Sequence, residues 1–210
     1  MQYPTQQLID NRNKFLAKEE EIKNYVASKD DIVALHLGCG NKIFKGFSNI
    51  DKYYKETRVL NQDMYKLDFS NNSVNLIFSC HALEHLPIRH AKLAIKEWYR
   101  ILKEGGLLFL AVPDLETICT LLIDRDLPAD HREWFVYTLF GYQVDPDKKD
   151  LNLDAPVDLG QFHTSGYTEY TLSQEFFQNG FYIKNLYRYD GWSTPSIFVE
   201  AVKGSSHGAL

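Results

Sequence analysis

Leu35-His36-Leu37-Gly38-Cys39-Gly40 is an apolar run that stops at a glycine-x-glycine turn, and Asp51 follows eleven residues after the second glycine. A buried strand ending in such a turn, then a second short strand ending in a carboxylate, is the minimum apparatus for holding an adenosine-containing cofactor. The glycines let backbone N–H groups approach a negative group with no Cβ in the way, and the carboxylate can accept two hydrogen bonds from a ribose diol. A dinucleotide fingerprint, G-x-G-x-x-G, needs a third glycine where Ile43 stands. The turn therefore argues against a nicotinamide dinucleotide.

Outward from this turn the pattern is α/β. Ile32–Leu37, Ser48–Ile50 and Arg58–Leu60 read as strands separated by segments too brief for ordinary crossover helices, so any helix between Gly40 and Asp51 has room for a turn or two. Val74–Cys80 and Leu107–Val112 are apolar strands of the fully buried kind. Between them, Leu93, Ile95, Trp98, Tyr99 and Leu102 carry helical periodicity through Ile88–Lys103, ending at Gly105-Gly106. Leu115–Asp124 reads as a helix capped by Asp114, and Thr168–Asn179 as a helix stopped by Gly180. The last strands, Tyr182–Tyr189 and Ser196–Val202, are close enough to pair as an antiparallel hairpin. Apolar strands alternating with helices predict a doubly wound, mainly parallel sheet covered on both faces, with shortened early crossovers.

Upstream, Leu8, Phe15, Ile22 and Tyr25 space an amphipathic helix within residues 1–30 that packs on the sheet. Residues 127–162 break the alternation. Their loop-like Asp145–Asp150 and Asp154-Ala155-Pro156, beside Trp134-Phe135-Val136-Tyr137, read as an insertion or lid. Residues 204–210 are small and non-periodic and stand outside the fold, so residues 1–203 read as one domain.

A chain of 210 residues that is 44% hydrophobic and 14% aromatic can bury a sizeable core. A formal charge of −5 argues against a general nucleic-acid binder, which needs clustered Lys and Arg to neutralise phosphates. Cys39, Cys80 and Cys119 are widely spaced with no CxxC, so they encode neither a disulfide framework nor a cysteine zinc site, and they suit a reducing cytoplasm. No apolar run reaches the ~20 residues of a membrane span, and the first thirty residues are too polar for an export signal.

Five blocks follow the strands in order: Leu35–Gly40, Gly46–Asp51, Gln62-Asp63-Met64 leading to Leu67-Asp68-Phe69, His81–Leu86, and Leu102–Leu107. Their order and spacing resemble class I S-adenosylmethionine-dependent methyltransferases. The likeness is greatest to the small-molecule branch that includes the ubiquinone/menaquinone-type, methyltransferase-11-like enzymes. The resemblance implies a seven-stranded Rossmann-like sheet and S-adenosylmethionine as cofactor. It puts Gly38, Cys39 and Gly40 against the methionyl portion, Asp51 on the ribose, Asp63 on the adenine amino group, Met64 beside the ring, and His81 at the reactive end. Two positions depart from the family pattern: His36 stands where an acid is common, and Asn75 where an aspartate is.

Methyl transfer to a hydroxyl needs a base, for which His81, His85 and His163 are the candidates, and His81 and His163 are carried forward as catalytic. His163 opens His163-Thr164-Ser165-Gly166-Tyr167-Thr168, which resembles the histidine-then-helix block of related enzymes. The signature motifs of nucleic-acid amino- and cytosine-methyltransferases are absent. A small molecule or glycan-type acceptor is therefore expected, bound between the methyl end and the insertion, and no nucleic acid.

His81-Ala82-Leu83-Glu84-His85 also spells H-x-x-E-H, a zinc-peptidase pattern. That chemistry needs a helix through both histidines and a third ligand downstream, whereas here a buried strand ends at Cys80 and Pro87 follows at once. The sequence reading thus assigns no metal. Tyr99-Arg100-Ile101-Leu102-Lys103 spells the Y-x-x-x-K of reductases, but helix packing accounts for Tyr99. A non-catalytic module that binds the cofactor without turning it over is the first alternative, and an H-x-x-E-H zinc hydrolase stands behind it.

Overall fold

The computed structural model describes residues 3–141, 161–191 and 194–204. The strands are β1 (Ala34–Leu37), β2 (Ser48–Ile50), β3 (Val59–Leu60), β4 (Val74–Cys80), β5 (Leu102–Pro113), β6 (Phe181–Asp190) and β7 (Pro195–Lys203). They form one seven-stranded sheet in the order β3-β2-β1-β4-β5-β7-β6, parallel from β3 to β5 and closed by the antiparallel β6–β7 pair. This is the doubly wound sheet with a terminal hairpin that the strand pattern predicts.

Alternate residues of each strand serve opposite layers, as the two-residue side-chain period requires. Leu35 and Leu37 of β1, Ile77 of β4, Leu108 and Leu110 of β5, and Val199 of β7 share one core with helices α2 (Ile88–Ile101) and α5 (Glu169–Gln178). Ala34, Leu76, Phe78, Phe109 and Phe198 face the other side, where helix α1 (Gln6–Ala27) supplies Phe15, Ile22 and Val26. Phe15 stacks on Tyr189 at a centroid distance of 4.6 Å. Helices α3 (Leu115–Ile123) and α4 (Ala129–Phe140) build a satellite core from Ile118, Leu121, Leu127 and Phe135.

Several expectations shift in detail. On α1, Val26 is the buried residue and Tyr25 is half exposed. On α2 the buried stripe runs through Ala91, Ala94, Ile95, Trp98 and Ile101, while Leu93 is 48% exposed. Small alanines facing the sheet carry the periodicity that large residues obscured. Helix α2 also ends at Ile101, before the Gly105-Gly106 turn. The Lys203 ammonium donates to the carbonyls of Tyr99 (2.6 Å) and Leu102 (2.8 Å), which satisfies the helix end there and lets β5 begin at once. Residues 127–162 contribute helix α4, whereas the loop assignments at 145–150 and 154–156 lie outside the described residues.

No helix forms between β1 and β2. The Asn49 side chain accepts from the Phe44 N–H (2.9 Å) and donates to the carbonyls of Phe44 and Phe47 (3.0 and 3.2 Å), so one buried amide replaces the hydrogen bonds of a helix. Phe44 then stacks on His36 at 4.0 Å. His36 therefore faces the α1 layer as a core residue, and burial pushes its pKa down to about 4. Asn75, the other departure, lies at the start of β4, away from the carboxyl ends. It accepts from the Val33 N–H and the Lys103 ammonium.

Candidate active site

Because β1 to β5 are parallel, their carboxyl ends share one edge, and the strand order reverses between β1 and β4. Ligands of such sheets bind in the crevice at that reversal. The glycine turn, Asp51, the 61–66 segment and the loop after β4 all meet there.

Gly38 adopts φ +65°, and a Cβ on it would stand 2.2 Å from Ala82 Cβ and 3.4 Å from Met64 Cε. Glycine is thus required by both conformation and contact, and its smallness brings the turn, Met64 and the post-β4 loop together. The Gly38 and Cys39 N–H groups donate to the Ile50 carbonyl (2.8 and 3.1 Å), and the Gly40 N–H donates to Asp51 Oδ2 (2.9 Å). The amides expected to meet an anion are therefore turned inward, where they fasten Asp51 to the turn. Asp51 Oδ1 accepts from the N–H groups of Tyr53 and Tyr54 (2.8 and 2.9 Å). Of the roughly four lone-pair directions of a carboxylate, three are used, which leaves about one for a ligand hydroxyl. Burial raises the Cys39 thiol to about 11, so it is no nucleophile at neutral pH.

Asp63 Oδ1 pairs with the Lys52 ammonium at 2.9 Å, and the Met64 carbonyl accepts from Trp98 Nε1 at 2.9 Å. The second contact ties the 61–66 segment to α2.

His81 takes φ +51°, a left-handed conformation uncommon for a residue with a Cβ and frequent at functional sites. Its N–H donates to the Ala111 carbonyl, which fixes the backbone to β5. Its Nδ1 lies 3.3 Å from Glu84 Oε1, and its Nε2 lies 3.3 Å from Ser196 Oγ.

Glu84 sits in a 3-10 turn (Leu83–His85) and is 1% exposed. Neither of its carboxylate oxygens has a hydrogen bond of good geometry. Burial raises its pKa, but the contact with His81 and the nearness of His85 and His163 outweigh this and hold the group below the ordinary carboxylate value. His163 Nε2 is 4.0 Å from Glu84 Oε1, and the rings of His85 and His163 meet edge to face at 4.8 Å. The strap after His163 is laid on this turn: the Thr164 and Ser165 N–H groups donate to the Glu84 carbonyl (2.9 and 3.0 Å), and Thr164 Oγ1 donates to the His85 carbonyl.

The structure thus gathers Gly38, Cys39, Gly40, Asp51, Asp63 and Met64 on one side of the edge, and His81, His85 and His163 around Glu84 on the other. The sequence reading missed Glu84 as the centre of the second group. Its signal was the H-x-x-E-H run itself, set aside because no helix was expected there.

Residues 41–110 match the model of the methyltransferase domain family. No curated protein matches the chain. Among solved structures, an S-adenosylmethionine-dependent methyltransferase from Methanosarcina mazei shares 19% identity, with a TM-score of 0.58 over 87% of this chain and 96% of that one. Another from Clostridium acetobutylicum shares 14%, with a TM-score of 0.56 over 91% and 90%. Magnesium protoporphyrin IX methyltransferase from Synechocystis, solved with S-adenosylhomocysteine, shares 14%, with a TM-score of 0.55 over 88% and 81%. The structural likenesses carry the fold. The family match is confined to residues 41–110, a third of the chain. The match reaches the methyltransferase domain and not its quinone-type branch.

Proposed function

We propose that residues 1–203 act as one domain that moves the methyl group of S-adenosylmethionine to an oxygen or nitrogen of a small-molecule or glycan-type acceptor. In this reading Gly38, Cys39 and Gly40 shape the methionyl pocket, Asp51 receives a ribose hydroxyl, and Asp63 and Met64 border the adenine. The acceptor enters between the methyl end and helix α4.

The observation that carries the reading is the His81–Glu84 pair, held at the carboxyl edge of the sheet by a strained strand end. Methyl transfer is an in-line displacement: the bond from acceptor to methyl carbon forms, the bond from sulfur to that carbon breaks, and S-adenosylhomocysteine leaves. The acceptor's proton goes to His81. Glu84 beside Nδ1 stabilises the imidazolium so formed, in the manner of other base–carboxylate pairs. The Ser196 hydroxyl suits both states of the ring. It donates to a neutral Nε2 or, turned to the Thr194 carbonyl 3.0 Å away, accepts from a protonated one. The three free cysteines suit work in a reducing cytoplasm, and no helix among the described residues is long and apolar enough to cross a membrane.

The test is transfer of labelled methyl to a panel of hydroxylated and amino small molecules and glycans. His81→Gln is expected to lower kcat about a hundredfold while leaving the S-adenosylmethionine Kd unchanged. A His81→Gln enzyme with full turnover would remove the base from this reading, and cofactor binding with no turnover on any acceptor would make the chain a binding module.

A further inference from the structure

A carboxylate 1% exposed, with neither oxygen in a hydrogen bond of good geometry, is costly unless a positive group completes it. The two histidines beside it are prepared in a particular way. His85 Nδ1 lies 3.1 Å from the Phe162 carbonyl, and His163 Nδ1 lies 2.7 Å from the Thr138 carbonyl. A carbonyl only accepts, so each ring has a proton on Nδ1, and Nε2 is the ring nitrogen left for another partner. A backbone carbonyl on the far nitrogen is how metal-ligating imidazoles are commonly oriented. One ligand atom from each of Glu84, His85 and His163 lies within 4.8 Å of the others.

We propose that Glu84, His85 and His163 form a site for one divalent transition-metal cation of zinc-like chemistry. Two imidazoles and one carboxylate are a borderline-soft donor set suited to Zn2+, Fe2+ or Co2+ and poorly suited to Mg2+ or Ca2+. A tetrahedral ion with bonds of about 2.0–2.1 Å holds its ligand atoms about 3.4 Å apart. The three groups therefore need to close by about an ångström, pulling the His163 strap onto the 3-10 turn it already touches.

Beside Glu84 and His163 lies a small cavity of about 20 Å3, walled by Pro113, Leu115, Ile118 and Leu139. It is large enough for one water-sized guest. An ion held by three protein ligands would have a fourth position free, and the cavity beside Glu84 and His163 has room for a water or an acceptor oxygen there. That role toward the acceptor rests on the methyl-transfer reading above, whereas the binding of the ion does not.

The arrangement is not that of a zinc peptidase, although the H-x-x-E-H residues are all used. His81 Nδ1 lies 3.3 Å from Glu84 Oε1, the oxygen that His163 Nε2 faces at 4.0 Å, and the two imidazole ligands are His85 and, downstream, His163. Glu84 is here a ligand and not a base.

The test is titration of metal-stripped, tag-free protein with Zn2+ against a chromophoric chelator, with Co2+ as the spectroscopic probe. One equivalent is expected, with the visible d–d bands of a tetrahedral nitrogen- and oxygen-ligated Co2+. Glu84→Gln and His163→Ala are each expected to weaken binding about a hundredfold. His131→Ala, an exposed histidine on α4, leaves it unchanged. S-adenosylmethionine affinity, measured on the same samples, reports folding and separates the two readings: retained Zn2+ binding with no cofactor binding would sink the methyl-transfer reading alone. No stoichiometric ion on the parent protein, binding indifferent to both ligand variants, or thiolate charge-transfer bands from a cysteine site would each overturn the proposal. If His163→Ala does not fold, His85→Ala read with Glu84→Gln serves the same comparison.

Discussion

Asp51 and Glu84 are two carboxylates at the same edge of one sheet, and they are held in opposite ways. Asp51 is partly exposed and accepts three backbone N–H groups, one from the glycine turn and two from its own downstream loop. Glu84 is buried, has no hydrogen bond of good geometry, and is ringed by three histidines. The first is completed by the backbone and works as a fixed anchor. The second is completed only by charge, so its surroundings answer to protons, to a cation or to a substrate. In the function proposed above, the carboxylate bonded by its own loop places the cofactor, and the one left short of partners is where chemistry or binding is supplied.

The Asp51 side breaks most severely at Gly38. Gly38→Ala puts a Cβ 2.2 Å from Ala82 Cβ at φ +65°, and is expected to cost about 3–5 kcal/mol and abolish cofactor binding. Denaturant unfolding checks this, and adding Ala82→Gly restores part of the loss if the clash between the turn after β1 and the loop after β4 is the cause.

Next in size is a pH effect between these two sites and the α1 layer. His36 has a folded pKa of about 4 against an ordinary 6.5, so the unfolded chain binds the proton first as pH falls. The stability it confers is fully present above 6.5 and is lost between 6.5 and 4, by about 3 kcal/mol. Urea unfolding from pH 7 to 4 on the parent and on His36→Phe, which preserves stacking on Phe44, measures that term. An unchanged slope in the variant would assign the acid sensitivity elsewhere, with Glu84 the next group to examine.

Smaller, and more direct for the contrast, is the pair Asp51→Asn and Glu84→Gln. Asp51→Asn is expected to lose about 1–2 kcal/mol of stability as its charge-assisted bonds weaken, and to raise the S-adenosylmethionine Kd. Glu84→Gln is expected to lower turnover with that Kd unchanged. If both variants behaved alike in calorimetry and in a turnover assay, the division of the edge into anchor and chemistry would fail. The smallest effect is at Thr168, which caps α5 reciprocally with Thr171 just beyond the His163 strap. Thr168→Ala should cost about 1 kcal/mol by thermal unfolding and leave cofactor affinity untouched.

The same contrast explains what could be read from the chain alone. Strands such as Val74–Cys80 and Leu107–Val112 are buried on both faces and read as unbroken apolar runs. Gly38 and Asp51 lie at strand ends, where local spacing defines them. The inward turn of the Gly38–Gly40 amides was hidden, because it depends on the Ile50 carbonyl of the neighbouring strand. The end of α2 at Ile101 was hidden too, because Lys203 supplies its cap from more than a hundred residues away. Glu84 was the hardest: His81 and His85 lie beside it in the H-x-x-E-H run, but His163 joins them only when the strap after α4 folds back on the 3-10 turn. Distances along the chain carry no trace of that closure.

The central claim is that this edge binds S-adenosylmethionine through the anchored carboxylate. Calorimetric titration of the parent protein and of Asp51→Ala with S-adenosylmethionine and S-adenosylhomocysteine tests it most directly. The account predicts one equivalent of each on the parent and loss of measurable binding in the variant. No binding by the parent, or a Kd indifferent to Asp51, would contradict it.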